Sequence, residues 1–117
     1  MTRKSETMNT PTIMWKGASK RRHLCWVYAI GDFTPPNDGG VYIFAVETSP
    51  GRFNPLYIGQ TENLNQHMNR LKRKGCVRGN GATHIHVKYN RDMKSRIYDE
   101  SDLVKMWEPI CNDDQRV

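Results

Sequence analysis

Two short runs of apolar and aromatic residues between positions 40 and 59 constrain the fold of this chain most strongly. The first run is Gly-Val-Tyr-Ile-Phe-Ala-Val-Glu, the second is Leu-Tyr-Ile-Gly, and Thr-Ser-Pro-Gly-Arg-Phe-Asn-Pro connects them. Strand-forming residues on either side of such a connection indicate a β-hairpin. Because neighbouring strand residues point to opposite faces, Leu56 and Ile58 are predicted to point away from Tyr57. The hairpin then brings Tyr42 and Tyr57 over one cleft, or it serves only as core, which is commoner.

Length, charge and cysteine content narrow the classes of protein that this chain fits. A chain of 117 residues is the size of one domain, and its formal net charge of +6 favours a polyanionic partner without establishing one. Cys25, Cys76 and Cys111 form no CxxC or zinc pattern, which predicts reduced thiols and a cytoplasmic location. No apolar run approaches the roughly 18 residues of a membrane span. The first residues also lack the apolar region of a secretory signal.

The N-terminal part of the chain predicts a second hairpin. Residues 1–11 are polar and are expected to form a flexible N-terminus. Residues 12–15 and 24–30 are rich in strand formers, and a turn with a basic run separates them. That run either contacts phosphate or is a solvated turn, and the second interpretation is commoner; its residues are Lys20, Arg21, Arg22 and His23.

A helix and a basic segment are predicted to follow the first hairpin described. Thr61 is expected to cap a helix that begins near Asn63, with Leu64, His67 and Met68 on one stripe. Residues 75–81 are predicted to be a loop because they contain three glycines. The basic segment is either a solvated helix end or, with equal weight, a phosphate-binding surface; its cations are Arg70, Lys72, Arg73, Lys74 and Arg78.

The alternating residues 82–89 predict a third strand. His84, His86 and Lys88 share one face of it. Two histidines at this spacing are possible metal ligands, but no third ligand lies near them in the sequence. We therefore expect both histidines to be exposed or to lie at the rim of the sheet.

The last predicted helix runs from about Arg91 to Trp107 and ends before Pro109. Its apolar stripe contains a carboxylate, Glu100, whereas Asp99 and Asp102 are assigned to the polar side. A carboxylate that faces a core is usually paired or bound to metal. The alternative, which the periodicity alone favours, is that Glu100 lies at the edge of the stripe and points outward or pairs with a basic residue. The apolar members of the stripe are Met93, Ile97, Val104 and Trp107.

In this order the motifs resemble those of the GIY-YIG nuclease superfamily. Gly40-Val41-Tyr42 and Tyr57-Ile58-Gly59 are similar to the two halves of the family signature, with Val in place of Ile in the first. As in the family, the signature is followed by a helix, by the strand Gly-Ala-Thr-His-Ile-His-Val and then by Glu-Ser-Asp-Leu-Val-Lys-Met-Trp-Glu-Pro-Ile-Cys-Asn. The resemblance covers about residues 40–112 and is strongest to small stand-alone proteins related to the excinuclease C subunit.

The resemblance implies an α+β fold in which helices flank a small, mainly antiparallel sheet. That sheet would contain the three family strands and the N-terminal hairpin, and residues 12–117 would form one GIY-YIG-like domain. The implied activity is that of a divalent-metal-dependent DNA endonuclease. The chain contains no separate DNA-recognition domain, so strong target specificity would need a partner protein or a homodimer.

Four residues match positions that carry the chemistry in the family. By resemblance, Tyr42 would be the phenol near the attacking water, as general base or relay, and Tyr57 would orient that water or the phosphate. Glu100 would hold one Mg²⁺ or Mn²⁺ ion beside the leaving oxygen, and Asn112 would fix the geometry by hydrogen bonds. Such a site supplies the activated water and the positive charge that phosphodiester hydrolysis needs.

The chain departs from the family at the catalytic arginine, whose position is His67 here. A guanidinium is always charged and binds two phosphate oxygens at once, whereas imidazole is mostly neutral near pH 7. Arg70, one turn further along the helix, is a candidate substitute. The alternatives are a weak or catalytically disabled nuclease that only binds nucleic acid, or a natural arginine that has been changed at position 67. A domain that binds protein, with incidental basic charge, has no specific support in the sequence.

Overall fold

The computed structural model describes residues 10–71 and 74–113. A single 3₁₀ turn, Ile30–Asp32, follows the second strand in this part of the chain. No helix in the described ranges is long and apolar enough to cross a membrane. The strands are β1 Thr12–Lys16, β2 Arg22–Ala29, β3 Gly40–Ser49, β4 Arg52–Thr61 and β5 His84–Tyr89, and the helices are α1 Leu64–Leu71, α2 Gly75–Gly79, α3 Met93–Trp107 and α4 Ile110–Asp113.

The five strands form one antiparallel sheet in the order β1-β2-β5-β3-β4. The predicted α+β class and both predicted hairpins are therefore confirmed. Strand β3 pairs with β4 on one side and β5 on the other, and its side chains alternate between two cores. This central position explains why β3 is apolar at nearly every residue.

Each face of the sheet has its own core. On the face that we call the tyrosine face, Tyr42, Phe44 and Tyr57 pack with α1, α2 and α4. On the other, which we call the helix face, Leu103 of α3 packs between strands from both edges of the sheet, because Trp15 of β1 and Ile58 of β4 belong to the same cluster. The sheet is therefore curled around α3.

The hairpin of β3 and β4 differs from its prediction in two respects. Its strands continue through most of the predicted connection, so that only Pro50 and Gly51 form the turn, and Gly51 has a positive φ of 76°. A β-bulge also makes Leu56 an extra residue, and Leu56 lies in the same core as Tyr57. The predicted alternation of Leu56 with Tyr57 is therefore wrong, because a bulge changes which face a residue meets.

The predicted orientation of α3 is also wrong. Asp99 and Asp102, which were assigned to the polar side, are buried, whereas Met93 and Ile97 are 58% and 48% exposed. The buried carboxylates have partners from the sheet. Lys88 Nζ lies 2.9 Å from Asp99 Oδ2, and a network described below holds Asp102. Paired charges are tolerated in a core. The contacts of Asp99 and Asp102 therefore decide which side of α3 is buried, although apolar residues lie on the exposed side.

The ends of the shorter helices correct two further predictions. The side chain of Asn63, rather than that of Thr61, caps α1, since Asn63 Oδ1 accepts a hydrogen bond from Gln66 N at 3.2 Å. Thr61 Oγ1 instead accepts from Asn63 N at 3.1 Å. Residues 75–79, which were predicted as part of a loop, form the one-turn helix α2.

The structure pairs two of the three cysteines, contrary to the prediction of reduced thiols. A disulfide joins Cys76 of α2 to Cys111 of α4, with their Cα atoms 5.7 Å apart. Cys25 is free and buried in the core of the helix face. Burial raises the pKa of its thiol to about 12. The predicted cytoplasmic location stays a prediction.

The histidines of β5 lie in different environments. His86 is fully buried, contrary to its predicted exposure, and its Nδ1 accepts a hydrogen bond from Trp15 Nε1 at 2.9 Å. Its ring also packs edge to face against Phe53. His84 is only partly buried, which agrees with the predicted rim position.

Candidate functional site

The two phenols that the sequence singled out lie side by side on the tyrosine face. The ring centroids of Tyr42 and Tyr57 are 6.0 Å apart, so the two phenols pack against each other. Gly59 lies opposite Tyr42 in the register of β3 and β4. A Cβ atom at Gly59 would overlap the Tyr42 hydroxyl, so glycine leaves the space that this phenol occupies. Tyr42 and Tyr57 are both buried, with 1% and 4% of their surface exposed.

His67 connects this pair of phenols to a polar cavity. Its Nε2 lies 2.9 Å from Tyr42 Oη, as donor or acceptor according to the tautomer. Leu64 and Met68, on the same side of α1, are fully buried and hold the helix against the sheet. Tyr42 therefore contacts both Tyr57 and His67, and it is hydrogen-bonded to His67. The cavity has a volume of about 270 Å³ and is lined by Thr61, Glu62, Asn63, Gln66 and His67.

Glu100 acts on Tyr57 through its charge, and it has no salt-bridge partner among the residues that the structure describes. It is partly buried, and this burial raises the pKa of its carboxyl group. Burial also raises the pKa of Tyr57; the hydrogen bond with Tyr42 lowers it, and the charge of Glu100 raises it further. Glu100 therefore carries a negative charge that the described residues do not compensate, at the place where the candidate site needs a cation ligand.

The residues present fit a Mg²⁺ ion in the limited sense that one carboxylate is available. Mg²⁺ keeps several waters and is commonly held by one or two carboxylates together with substrate phosphates. Within residues 10–71 and 74–113, no group of three or more His, Cys, Asp or Glu side chains is placed to hold a metal ion. Glu100 would thus be the protein ligand, and its burial next to Tyr57 favours a cation there.

Asn112 fixes the outer edge of β4 next to the tyrosines. Its Oδ1 accepts a hydrogen bond from Ile58 N at 2.9 Å, and its Nδ2 donates to Ile58 O at 2.8 Å. The side chain therefore satisfies both backbone groups of the residue that follows Tyr57. The geometry agrees with the positioning role that the resemblance implies for Asn112.

The structure brings one of the predicted DNA-binding cations to the site. Lys74 Nζ lies 5.9 Å from the centroid of the Tyr57 ring. Arg78 is exposed in the last turn of α2. The predicted contacts of Arg70, Lys72 and Arg73 fall outside the side chains that the structure describes.

Three features of the site were not predicted. These are the hydrogen bond between His67 and Tyr42, the position of Lys74 over Tyr57, and the disulfide of Cys111, the residue directly before Asn112. The spacing of Asn63, which caps α1, from Gln66 and His67 was the available signal for the polar cavity, since residues three and four apart share a helix face.

Comparison with known proteins gave no match to a family model, a curated protein or a solved structure. The resemblance to GIY-YIG nucleases therefore rests on the motifs quoted above, and it stays a prediction.

Proposed function

We propose that the protein is a divalent-metal-dependent DNA endonuclease with a GIY-YIG-type fold and site. The observation that carries the proposal is the hydrogen bond between Tyr42 and His67, with Tyr57 packed against Tyr42 and the charge of Glu100 acting on Tyr57. A proton acceptor and a polar cavity thus lie next to Tyr42, and the carboxylate of Glu100 is the candidate cation ligand. The positive net charge of +6 supports a polyanionic substrate.

In the proposed mechanism, Tyr42 and His67 act together on the attacking water. Tyr42 Oη accepts a proton from the water while its own proton passes to His67 Nε2, which lies 2.9 Å away. Imidazole is suited to this step because its ordinary pKa lies near neutrality. Tyr57, whose ring packs against that of Tyr42, holds that phenol in place and orients the water or the phosphate.

The remaining residues provide charge and position. Glu100 holds the metal ion; when bound, Mg²⁺ supplies positive charge against the charge that develops on the phosphate and the leaving oxygen. Asn112 keeps Ile58, and with it Tyr57, in register at the edge of β4. Lys74 adds a cation at the ring of Tyr57.

This scheme gives His67 a role different from that of the family arginine. Its Nε2 is engaged with Tyr42, so we assign it to proton transfer rather than to a bidentate grip on phosphate. Contact with the phosphate oxygens then falls to nearby cations. Lys74 is one candidate for this contact, because its Nζ lies over the Tyr57 ring. That Arg70 takes the place of the family arginine stays a prediction.

Nicking of supercoiled plasmid with Mg²⁺ or Mn²⁺ tests the proposal. We expect Glu100→Gln and Tyr42→Phe each to lower the rate about 10²–10³-fold, the usual loss when one preorganised catalytic group is removed. Glu108→Gln changes an exposed carboxylate at the end of α3 and is the matched control, with unchanged activity. Intact plasmid and intact branched DNA with the parent protein at every metal concentration would contradict the proposal. Activity restored only in His67→Arg would show a scaffold that this one position disables.

A nucleic-acid-binding protein that does not cleave is the second candidate function. The observation that favours it is His67 at the arginine position together with the retained cations Lys74 and Arg78. It predicts binding whose log affinity falls linearly with log salt concentration, without nicking. Binding that is unaffected by Lys74→Glu combined with Arg78→Glu would exclude this candidate.

A further inference from the structure

The disulfide joins the two segments that place side chains at Tyr57 and Ile58. Cys76 lies two residues after Lys74, whose Nζ is over the Tyr57 ring. Cys111 directly precedes Asn112, whose side chain bonds both backbone groups of Ile58. The bond therefore joins two short segments that contact neighbouring residues of β4, Tyr57 and Ile58.

These two segments are very short helices. Helix α2 is five residues long and α4 is four. In α2 the described buried side chain is Val77, and in α4 Cys111 itself is fully buried. Helices of one turn are not stable alone, so the attachments of their side chains decide where they lie.

We propose that the Cys76–Cys111 pair is a redox switch for the candidate site: the disulfide seats Asn112 against Ile58, and reduction releases it. The inference rests on the proposed function only for its effect on cleavage. Asn112 acts here as a positioning residue, since it contacts the backbone next to Tyr57 rather than the substrate. A site whose edge is held by a disulfide is active when oxidised and loses activity when reduced.

The chemistry requires a thiol–disulfide partner such as oxidised glutathione. The thiolate of Cys76, the more accessible of the two residues, attacks a sulfur of the glutathione disulfide and releases one glutathione thiolate. The thiolate of Cys111 then attacks the sulfur of Cys76 and releases the second glutathione. Two protein thiols thus lose two electrons and two protons, and the glutathione disulfide gains them. A dithiol reductant reverses the same steps.

The surroundings of the pair favour exchange between these two cysteines alone. Asn80 Nδ2 lies 3.5 Å from Cys76 Sγ and 3.9 Å from Cys111 Sγ, where it offers a donor to either sulfur. Cys25 lies in the core of the other face. Its pKa of about 12, raised by burial, leaves it almost entirely protonated near neutral pH and therefore a poor nucleophile.

Amide hydrogen exchange of Ile58 tests the switch without any measurement of cleavage. The Ile58 N–H donates to Asn112 Oδ1, so its exchange rate reports whether Asn112 is seated. In the parent protein we expect dithiothreitol to speed this exchange at least about tenfold, while the amide of Ile43 in the middle of the sheet is unchanged. Cys76→Ser should show the fast rate with or without reductant, and Cys25→Ala should respond as the parent does. Equal Ile58 exchange in the oxidised and reduced parent would overturn the inference.

Plasmid nicking under the same two conditions separates this inference from the proposed function. We expect oxidised parent to cleave at least about tenfold faster than reduced parent, through kcat rather than KM, and Cys76→Ser to be slow in both conditions. An Ile58 response without any nicking would contradict the nuclease and leave the switch standing. Equal nicking in both redox states would overturn the coupling of the switch to the site and leave the nuclease standing.

Discussion

Two carboxylates of α3, Glu100 and Asp102, lie two residues apart in opposite environments. Asp102 accepts hydrogen bonds from Ser19 N at 2.8 Å, Ser19 Oγ at 2.9 Å and His23 Nε2 at 2.9 Å. Burial acts to raise its pKa, but the hydrogen bonds from His23 and Ser19 outweigh burial and lower it. Glu100 has no cationic partner among the described residues, and burial raises its pKa.

The difference separates a structural charge from one available to a ligand. On the helix face, Asp102 ties the turn between β1 and β2 to α3, and Lys88 bridges His23 Nδ1 and Asp99 at 3.1 Å and 2.9 Å. On the side of Tyr57, the same helix presents a carboxylate whose charge the described residues leave uncompensated. A folded protein tolerates such a group where a ligand supplies the missing charge. The predictions below test this separation.

The largest effect on stability is expected from Asp102→Ala. This change leaves three donors without their buried acceptor, which lowers the free energy of unfolding by about 3 kcal/mol. Glu100→Ala should leave stability unchanged or raise it, because it removes a charge that burial disfavours. Equilibrium unfolding in urea measures both variants. If Glu100→Ala lowers the free energy of unfolding as much as Asp102→Ala or more, the distinction between a structural charge and a charge available to a ligand is wrong.

A smaller effect is expected from Gly59→Ala, which probes the tyrosine face. The added Cβ would overlap the hydroxyl of Tyr42, and overpacking of this kind typically costs about 1–3 kcal/mol. Because Tyr42 must move, its hydrogen bond with His67 is expected to be lost, and nicking should fall with it. Gly31→Ala is the matched control, since a Cβ at Gly31 meets no atom within 4 Å. Thermal unfolding and nicking that both match the control would show that Gly59 does not position the phenol.

The parts of the fold that could be predicted are those in which sequence periodicity reports burial. The alternation of β3 gave the hairpin, and the two tyrosines meet as expected. The orientation of α3 could not be predicted, because its buried aspartates are held by Lys88 and His23. His23 precedes Asp102 by 79 residues, and no local pattern reports such a contact. Cys76 and Cys111 are separated by 35 residues, so their pairing likewise depends on the tertiary fold.

The same limit applies to the candidate site. The motif residues Tyr42, Tyr57, Glu100 and Asn112 could be chosen from the sequence, because their order and spacing resemble those of a known family. The partner of His67 could not be chosen. It depends on the angle at which α1 crosses the sheet, which the buried contacts of Leu64 and Met68 decide.

His86, on the helix face, does not follow the pattern of Asp102. His86 Nε2 is buried and has no hydrogen-bond partner in the described part of the chain. Burial, together with a smaller effect of the nearby His84, lowers the pKa of His86 to about 4. Protonation of His86 would therefore place an uncompensated charge in the core of the helix face.

This depressed pKa predicts a small loss of stability in mild acid. The unfolded chain binds the proton near pH 6.5, whereas the folded protein resists it down to about pH 4. The contribution is therefore complete above pH 6.5 and is lost as the pH falls through this window. At pH 5.5 the cost is about 1 kcal/mol relative to neutral pH. His86→Gln, which keeps an acceptor for Trp15, should flatten the dependence of the unfolding free energy on pH, and His84→Gln should not. If the free energy of unfolding of His86→Gln depends on pH as steeply as that of the parent, the acid sensitivity comes from another group. The buried His86 would then not destabilise the folded protein in mild acid.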